Sequence, residues 1–173
     1  MPDAMGGRGS GNSRAIRVSC TANFQKYQSD CSGFLKAVVS DLNDALKLDP
    51  PIKLSGQAND ICDQLKNAPW IPISGNSMSA HTAMQVAGTM AATSGNLVVA
   101  SRKQPGNGHV AIVLDQINFK GHPDIGPAGL GKAAASWGQL GGVGKQYREI
   151  SQSFSSSKLK EVYYCYLELP KHD

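Results

Sequence analysis

Charge is scarce in this chain. Asp, Glu, Lys and Arg together make up 17% of 173 residues, and the net charge is only +4. A mild positive balance helps approach to any anionic polymer but selects none. No run of Lys and Arg forms a nucleic-acid arm. Aromatic residues, at 6%, are too few for a ladder of stacked bases, so no nucleic-acid partner is expected. Long apolar runs are missing too. Nothing approaches the ~18 consecutive apolar residues of a membrane-crossing helix, and no membrane partner is expected. The first ten residues, Met1 to Ser10, hold no apolar core of the Sec-signal kind, so they are not expected to be a Sec signal peptide. Cysteine is sparse, with Cys20, Cys31, Cys62 and Cys165 alone. No Cys or carboxylate cluster with metal-ligand spacing surrounds His122, so no metal is expected. The glycine run 138–144 lacks the Gly-Lys-Ser/Thr ending and following helix of a phosphate loop, and no nucleotide or other cofactor is expected.

What is present fits one globular domain. Apolar residues reach 40%, enough for a full core, and 19 glycines suggest many loops. Residues 1–14, rich in Gly, Ser, Asn and Arg, read as a flexible segment, with a single domain over 15–173. Asn23 and Gln25, upstream of Cys31, read as part of a solvated loop, the alternative being a polar contribution to an oxyanion hole. From Cys31, apolar residues recur at Phe34, Leu35, Val38, Val39, Leu42, Ala45 and Leu46. That spacing predicts a helix with one buried face, ending near Lys47 before Pro50-Pro51. Ser55 is placed to cap a second helix carrying Ala58, Ile61, Cys62 and Leu65 on one face. An Ala- and Met-rich helix is expected over 79–93. Strands are expected at Leu97–Ala100, at 108–115, in the small-residue stretch 132–138 and over Glu161–Leu169. The run 138–144 reads as a flexible, substrate-facing loop. Helices come first and strands later, which predicts an α+β fold with helices packed on an antiparallel sheet of four to six strands.

Cys31 falls where a polar loop becomes a helix, with Asp30 or Ser29 as cap. The first-turn amides and the helix dipole are expected to lower its thiol pKa toward thiolate. Ser32 and Gly33 keep the surroundings small. A nucleophile needs a base, and His109, after Gly108, opens the β-branched run Val110-Ala111-Ile112-Val113. Together they predict acyl transfer. Cys31 attacks an amide carbonyl, His109 moves the proton, and the backbone amides of Cys31 and Ser32 meet the oxyanion. Gly33, Gly108 and Trp137 are placed to line the substrate. Ser136, on the strand expected beside His109, is a candidate to orient the imidazole. Gln139, a backbone carbonyl and Asp115 are alternatives, although Asp115 lies roughly 20 Å along an extended strand. Arg102 and Lys103, just before His109, read as a solvated loop or as partners for a substrate carboxylate. Cys20 and Cys165 form a candidate disulfide, and the other reading makes the three remaining cysteines small buried hydrophobes.

Asp30-Cys31-Ser32-Gly33-Phe34 opening a helix, together with Gly108-His109-Val110-Ala111-Ile112-Val113 opening a strand, resembles the NlpC-type, papain-like cell-wall peptidases. Within them it is similar to the amidase effectors of bacterial type VI secretion systems. The resemblance runs over residues 20–169 and is sharpest at these two motifs. It implies a papain-like fold and a cysteine amidase that cuts peptide stems or cross-links of peptidoglycan, with Cys31 as nucleophile and His109 as base. It further implies an antibacterial toxin made in the cytoplasm and acting in the periplasm of a rival cell. A cognate immunity protein would then occlude the cleft. Two other classes remain open on the residues: a papain-like protease or acyltransferase with another substrate, and a wall-binding module that keeps the fold without the chemistry.

Overall fold

The computed structural model describes residues 11–24, 26–27, 30–73, 80–106, 108–116, 134–140, 143–149 and 160–170. In chain order its elements are α1 (Gly11–Phe24), α2 (Cys31–Leu46), α3 (Ala58–Gln64), β1 (Trp70–Pro72), α4 (Ala80–Thr93), β2 (Leu97–Arg102), β3 (His109–Gln116), β4 (Ala134–Leu140), β5 (Val143–Glu149) and β6 (Tyr163–Leu167). The strands form one antiparallel sheet in the order β1-β6-β2-β3-β4-β5. The class is α+β.

Strands β2 and β3 are buried on both faces, which is why they read as unbroken apolar runs rather than as alternation. Leu97 and Val99 of β2, Val110 and Ile112 of β3, and Cys165 and Leu167 of β6 face a core built with α1, α2 and α3. Val98 and Ala100, Ala111 and Val113, and Tyr164 and Tyr166 face a second core under α4. The two sides of β6 divide as its alternation predicts. The α4 core is rich in alanine, Ala83, Ala87 and Ala91, which lets that helix lie close to the sheet.

Helix α2 spans nearly its predicted range. Asp30 caps it, its carboxylate accepting from the Gly33 amide at 2.8 Å. Lys47, at φ +51, closes the other end in the left-handed conformation. Phe34, Leu35, Val38, Val39 and Leu42 are buried, as the 3.6-residue spacing requires.

Several expectations need correction. Helix α1 begins at Gly11, inside the stretch expected to be flexible. Asn12 donates to the Pro170 carbonyl at 2.5 Å, and Ile16 and Cys20 enter the core. Asn23 is buried rather than solvated. Its amide donates to Asp41 of α2 at 2.8 Å, and Ser19 donates to the same carboxylate oxygen at 2.6 Å. The two polar side chains tie α1 to α2. Helix α3 opens at Gln57 instead of Ser55, because Gly56 turns the chain at φ +85 and Gln57 and Asp60 cap each other reciprocally. Ser55 instead braces the far end of α3 through the Gln64 side chain. The glycine run 138–144 is not one loop: Gly138 and Gly144 lie in the paired strands β4 and β5. All four cysteines are free, so Cys20 and Cys165 form no bridge. Both are buried in the α1–α3 core, where desolvation drives their thiol pKa values up. His122 lies outside the described residues.

Candidate active site

Cys31 is the first residue of α2 and packs partly buried against the α1–α3 core. The backbone amides of Val110, Ser32 and Cys31 itself lie near its sulfur and favour its charged form. Val110 is the residue after His109. The head of α2 therefore meets β3 at Val110, on the α1–α3 side of the sheet, whereas His109 falls by strand alternation with Ala111 and Val113 on the α4 side, so the sulfur and the imidazole start from opposite faces.

The protonation of Cys31 differs from expectation. Burial outweighs the three amides, and the nearby Asp30 carboxylate adds to it, so the thiol pKa is raised rather than lowered. The resting group is a thiol. His109 titrates in the opposite sense. Burial pushes its pKa down to about 4, so the imidazole is neutral at neutral pH and able to take a proton. Asp30, exposed at the helix head, is held below the usual carboxylate range, first by the Gly33 amide. Ser32 is buried, and its hydroxyl donates to Asp30 at 2.8 Å. Beneath Cys31, the Cys62 thiol hydrogen-bonds with Ser101, and burial raises its pKa.

The two glycines of the motifs serve the fold. Gly33 is buried, and a side-chain carbon there would collide with the Asp30 carboxylate and the Tyr27 ring. The space beside Gly33 is filled by the chain itself, so this glycine permits the cap instead of lining a substrate subsite. Gly108 is likewise buried, against Asn59 and the Arg102 carbonyl. It permits the close approach expected of it, but the approaching group is Asn59.

The sheet register decides most of the remaining assignments. Val113 lies opposite Ser136, Ile112 opposite Trp137 and Ala111 opposite Gly138. Ser136 is thus four residues along the ladder from His109, a rise of about 13 Å. It does not sit beside the imidazole and cannot orient it directly. Asp115, opposite Ala135 past a bulge, is farther still. Gln139, beyond Gly138, is the candidate nearest the His109 end. Trp137 lies by register three residues from His109, and its side chain is outside the described residues. Arg102 and Lys103 are engaged within the chain, Arg102 with Glu161 at 2.9 Å and with Gln104, and Lys103 with Asp63 at 2.9 Å.

Asn59 is a residue that sequence reasoning missed. It lies on α3 and hydrogen-bonds the turn that precedes His109. No motif flags it, because its partners are backbone atoms more than 40 positions away. Among the described residues no group of three His, Cys, Asp or Glu side chains is arranged to hold a metal ion, and no helix is long and apolar enough to cross a membrane. No family model and no curated protein sequence matches the chain.

Proposed function

We propose that this chain is a papain-like, NlpC-type cysteine amidase that hydrolyses peptide bonds of peptidoglycan. One observation carries the reading: Cys31 heads α2, partly buried, with the Val110 amide of β3, the residue after His109, beside its sulfur. An amide so placed suits an oxyanion forming next to the sulfur better than it suits a neutral thiol.

The reaction begins with both groups neutral. As the Cys31 sulfur bonds to the amide carbonyl carbon, its proton passes to the His109 imidazole. The carbonyl oxygen takes the negative charge and meets the Cys31 and Ser32 amides. Collapse breaks the C–N bond, and His109 returns the proton to the departing amine. Water, deprotonated by His109, then attacks the thioester, releasing the acid and restoring the thiol. Removing one oxyanion donor costs on the order of 10²–10³ in rate, so the placement of the α2 head matters as much as the sulfur. The reading requires the imidazole to reach the sulfur around the end of β3. By strand alternation His109 falls with Ala111 and Val113, on the side away from Val110, and the β3–β4 register starts only at Ala111.

The substrate is a stem or cross-link peptide. The setting is attack on a rival cell, with the enzyme delivered to the periplasm and a cognate immunity protein covering the cleft around Cys31 and His109. Digestion of purified sacculi by the wild type and by Cys31→Ala, with products identified by mass, tests the chemistry. Peptide fragments from the wild type alone are expected. A wild type that binds sacculi and releases nothing would replace the hydrolase with a binding module. Toxicity on periplasmic but not cytoplasmic expression in a Gram-negative host is expected, and equal toxicity in both would point to another target.

A further inference from the structure

We infer that Asn59 is a positioning residue for His109: from α3 it holds Gln104, Gly106 and Gly108 of the β2–β3 turn, and through them it sets where the imidazole enters the site. The inference rests on the reading of Cys31 and His109 as the reacting pair.

Asn59 reaches the turn with both ends of its amide. Nδ2 donates to the Gln104 carbonyl at 2.7 Å and to the Gly106 carbonyl at 3.3 Å, and Oδ1 accepts from the Gln104 amide at 3.1 Å. These backbone groups lie between β2 and β3, past the end of their ladder at Arg102 and His109. The same side chain covers Gly108, the residue bonded to His109. A carbon added at Gly108 would strike Asn59 Oδ1 and come within 2.9 Å of the Arg102 carbonyl. Asn59 therefore fixes the turn at its start, at its tip and at its exit into β3. Gly106 takes φ +85 with open space around it, so the tip conformation belongs to the backbone.

A further link between α3 and this turn is Lys103 with Asp63. Both are exposed, and a pair so solvated fixes little. Asn59 is half-buried and multiply bonded. It is also dispensable for α3 itself, which is capped by Gln57 and Asp60. Its three bonds serve the turn.

The test uses the full chain as wild type and Asn59→Ala, with two readouts. The first is the titration midpoint of His109, followed by NMR of its ring protons. The second is kcat and KM for peptide release from sacculi. Freed of Asn59, the turn admits water, and the His109 midpoint is expected to rise from about 4 toward 6.5. With the base misplaced, kcat is expected to fall about 10- to 100-fold, with KM unchanged. A His109 midpoint equal to that of the wild type overturns the inference, whatever happens to kcat. Should Asn59→Ala not fold, Gly106→Ala strains the same turn while leaving Asn59 and the core in place. The same upward midpoint shift is expected there, and its absence overturns the inference. If the wild type releases no peptide, the amidase reading falls, while the His109 midpoints still decide whether Asn59 positions the imidazole.

Discussion

Cys31 and His109 show how burial sets chemistry at single residues. The head of a helix favours a thiolate, yet burial and the Asp30 charge leave Cys31 as a thiol. Its alkylation by iodoacetamide should therefore climb with pH toward and beyond the ordinary thiol value of 9.0. No reactive plateau should appear between about pH 5 and 8. Peptide mapping assigns the site, and a flat, fast rate from acid pH would reveal a thiolate–imidazolium pair instead. For His109 the folded value near 4 lies below the ordinary 6.5. On acidification the unfolded chain takes up this proton first. The neutral imidazole thus contributes stability that is full above pH 6.5 and is lost as the pH falls toward 4, on the order of 3 kcal/mol. Urea midpoints measured across that window should slope downward in the wild type and less so in His109→Gln. Equal slopes would mean that water already reaches the ring.

At the scale of elements, α2 was legible because its apolar spacing, its Asp30 cap and the following prolines all agree. Strands β2 and β3 were legible for a simpler reason, being β-branched runs buried on both faces, and β6 from its alternation. Helix α1 was not. The positions it buries include Asn12, Ser13, Arg17, Ser19 and Asn23, so its inner side carries polar residues that composition assigns to a loop. Tertiary partners, Asp41 and the Pro170 carbonyl, give Asn12, Ser19 and Asn23 a reason to be inside. Strand β5, Val143 to Glu149, likewise lacks a β-branched pattern. The site divided in the same way. The motif residues Cys31 and His109 stood out in the sequence, whereas Asn59 and the true register of Ser136 depend on long-range pairing. The α2 cap provides the element-level prediction. Asp30→Ala removes the acceptor for the Gly33 amide and should cost about 1 kcal/mol, read from denaturant midpoints. Asp30→Asn keeps an acceptor there and should cost less. Both remove the carboxylate that raises the Cys31 pKa, so both should speed Cys31 alkylation near pH 8. An unchanged rate in Asp30→Asn would show that the Asp30 charge is screened from the sulfur.

At the scale of the whole molecule, one sheet serves two cores that do unequal jobs. Leu35 of α2 is fully buried in the core that carries Cys31, and Met84 of α4 is fully buried in the other. Truncating either to alanine should cost about 2–5 kcal/mol, since each leaves a void in close-packed surroundings. Their effects on the site should differ. The Cys31 sulfur is held by the seating of α2 against β3, where the Val110 amide reaches it. A void under Leu35 loosens that seating directly. A void under Met84 lies behind β3, which is laddered to β2 on one side and β4 on the other and so resists displacement. Leu35→Ala should therefore change both the rate and the pH dependence of Cys31 alkylation, while Met84→Ala should lower the unfolding midpoint by a similar amount and leave alkylation as in the wild type. Equal changes in both variants would mean that the two cores act on the sulfur as one body, and that the sheet transmits strain from α4 to the head of α2.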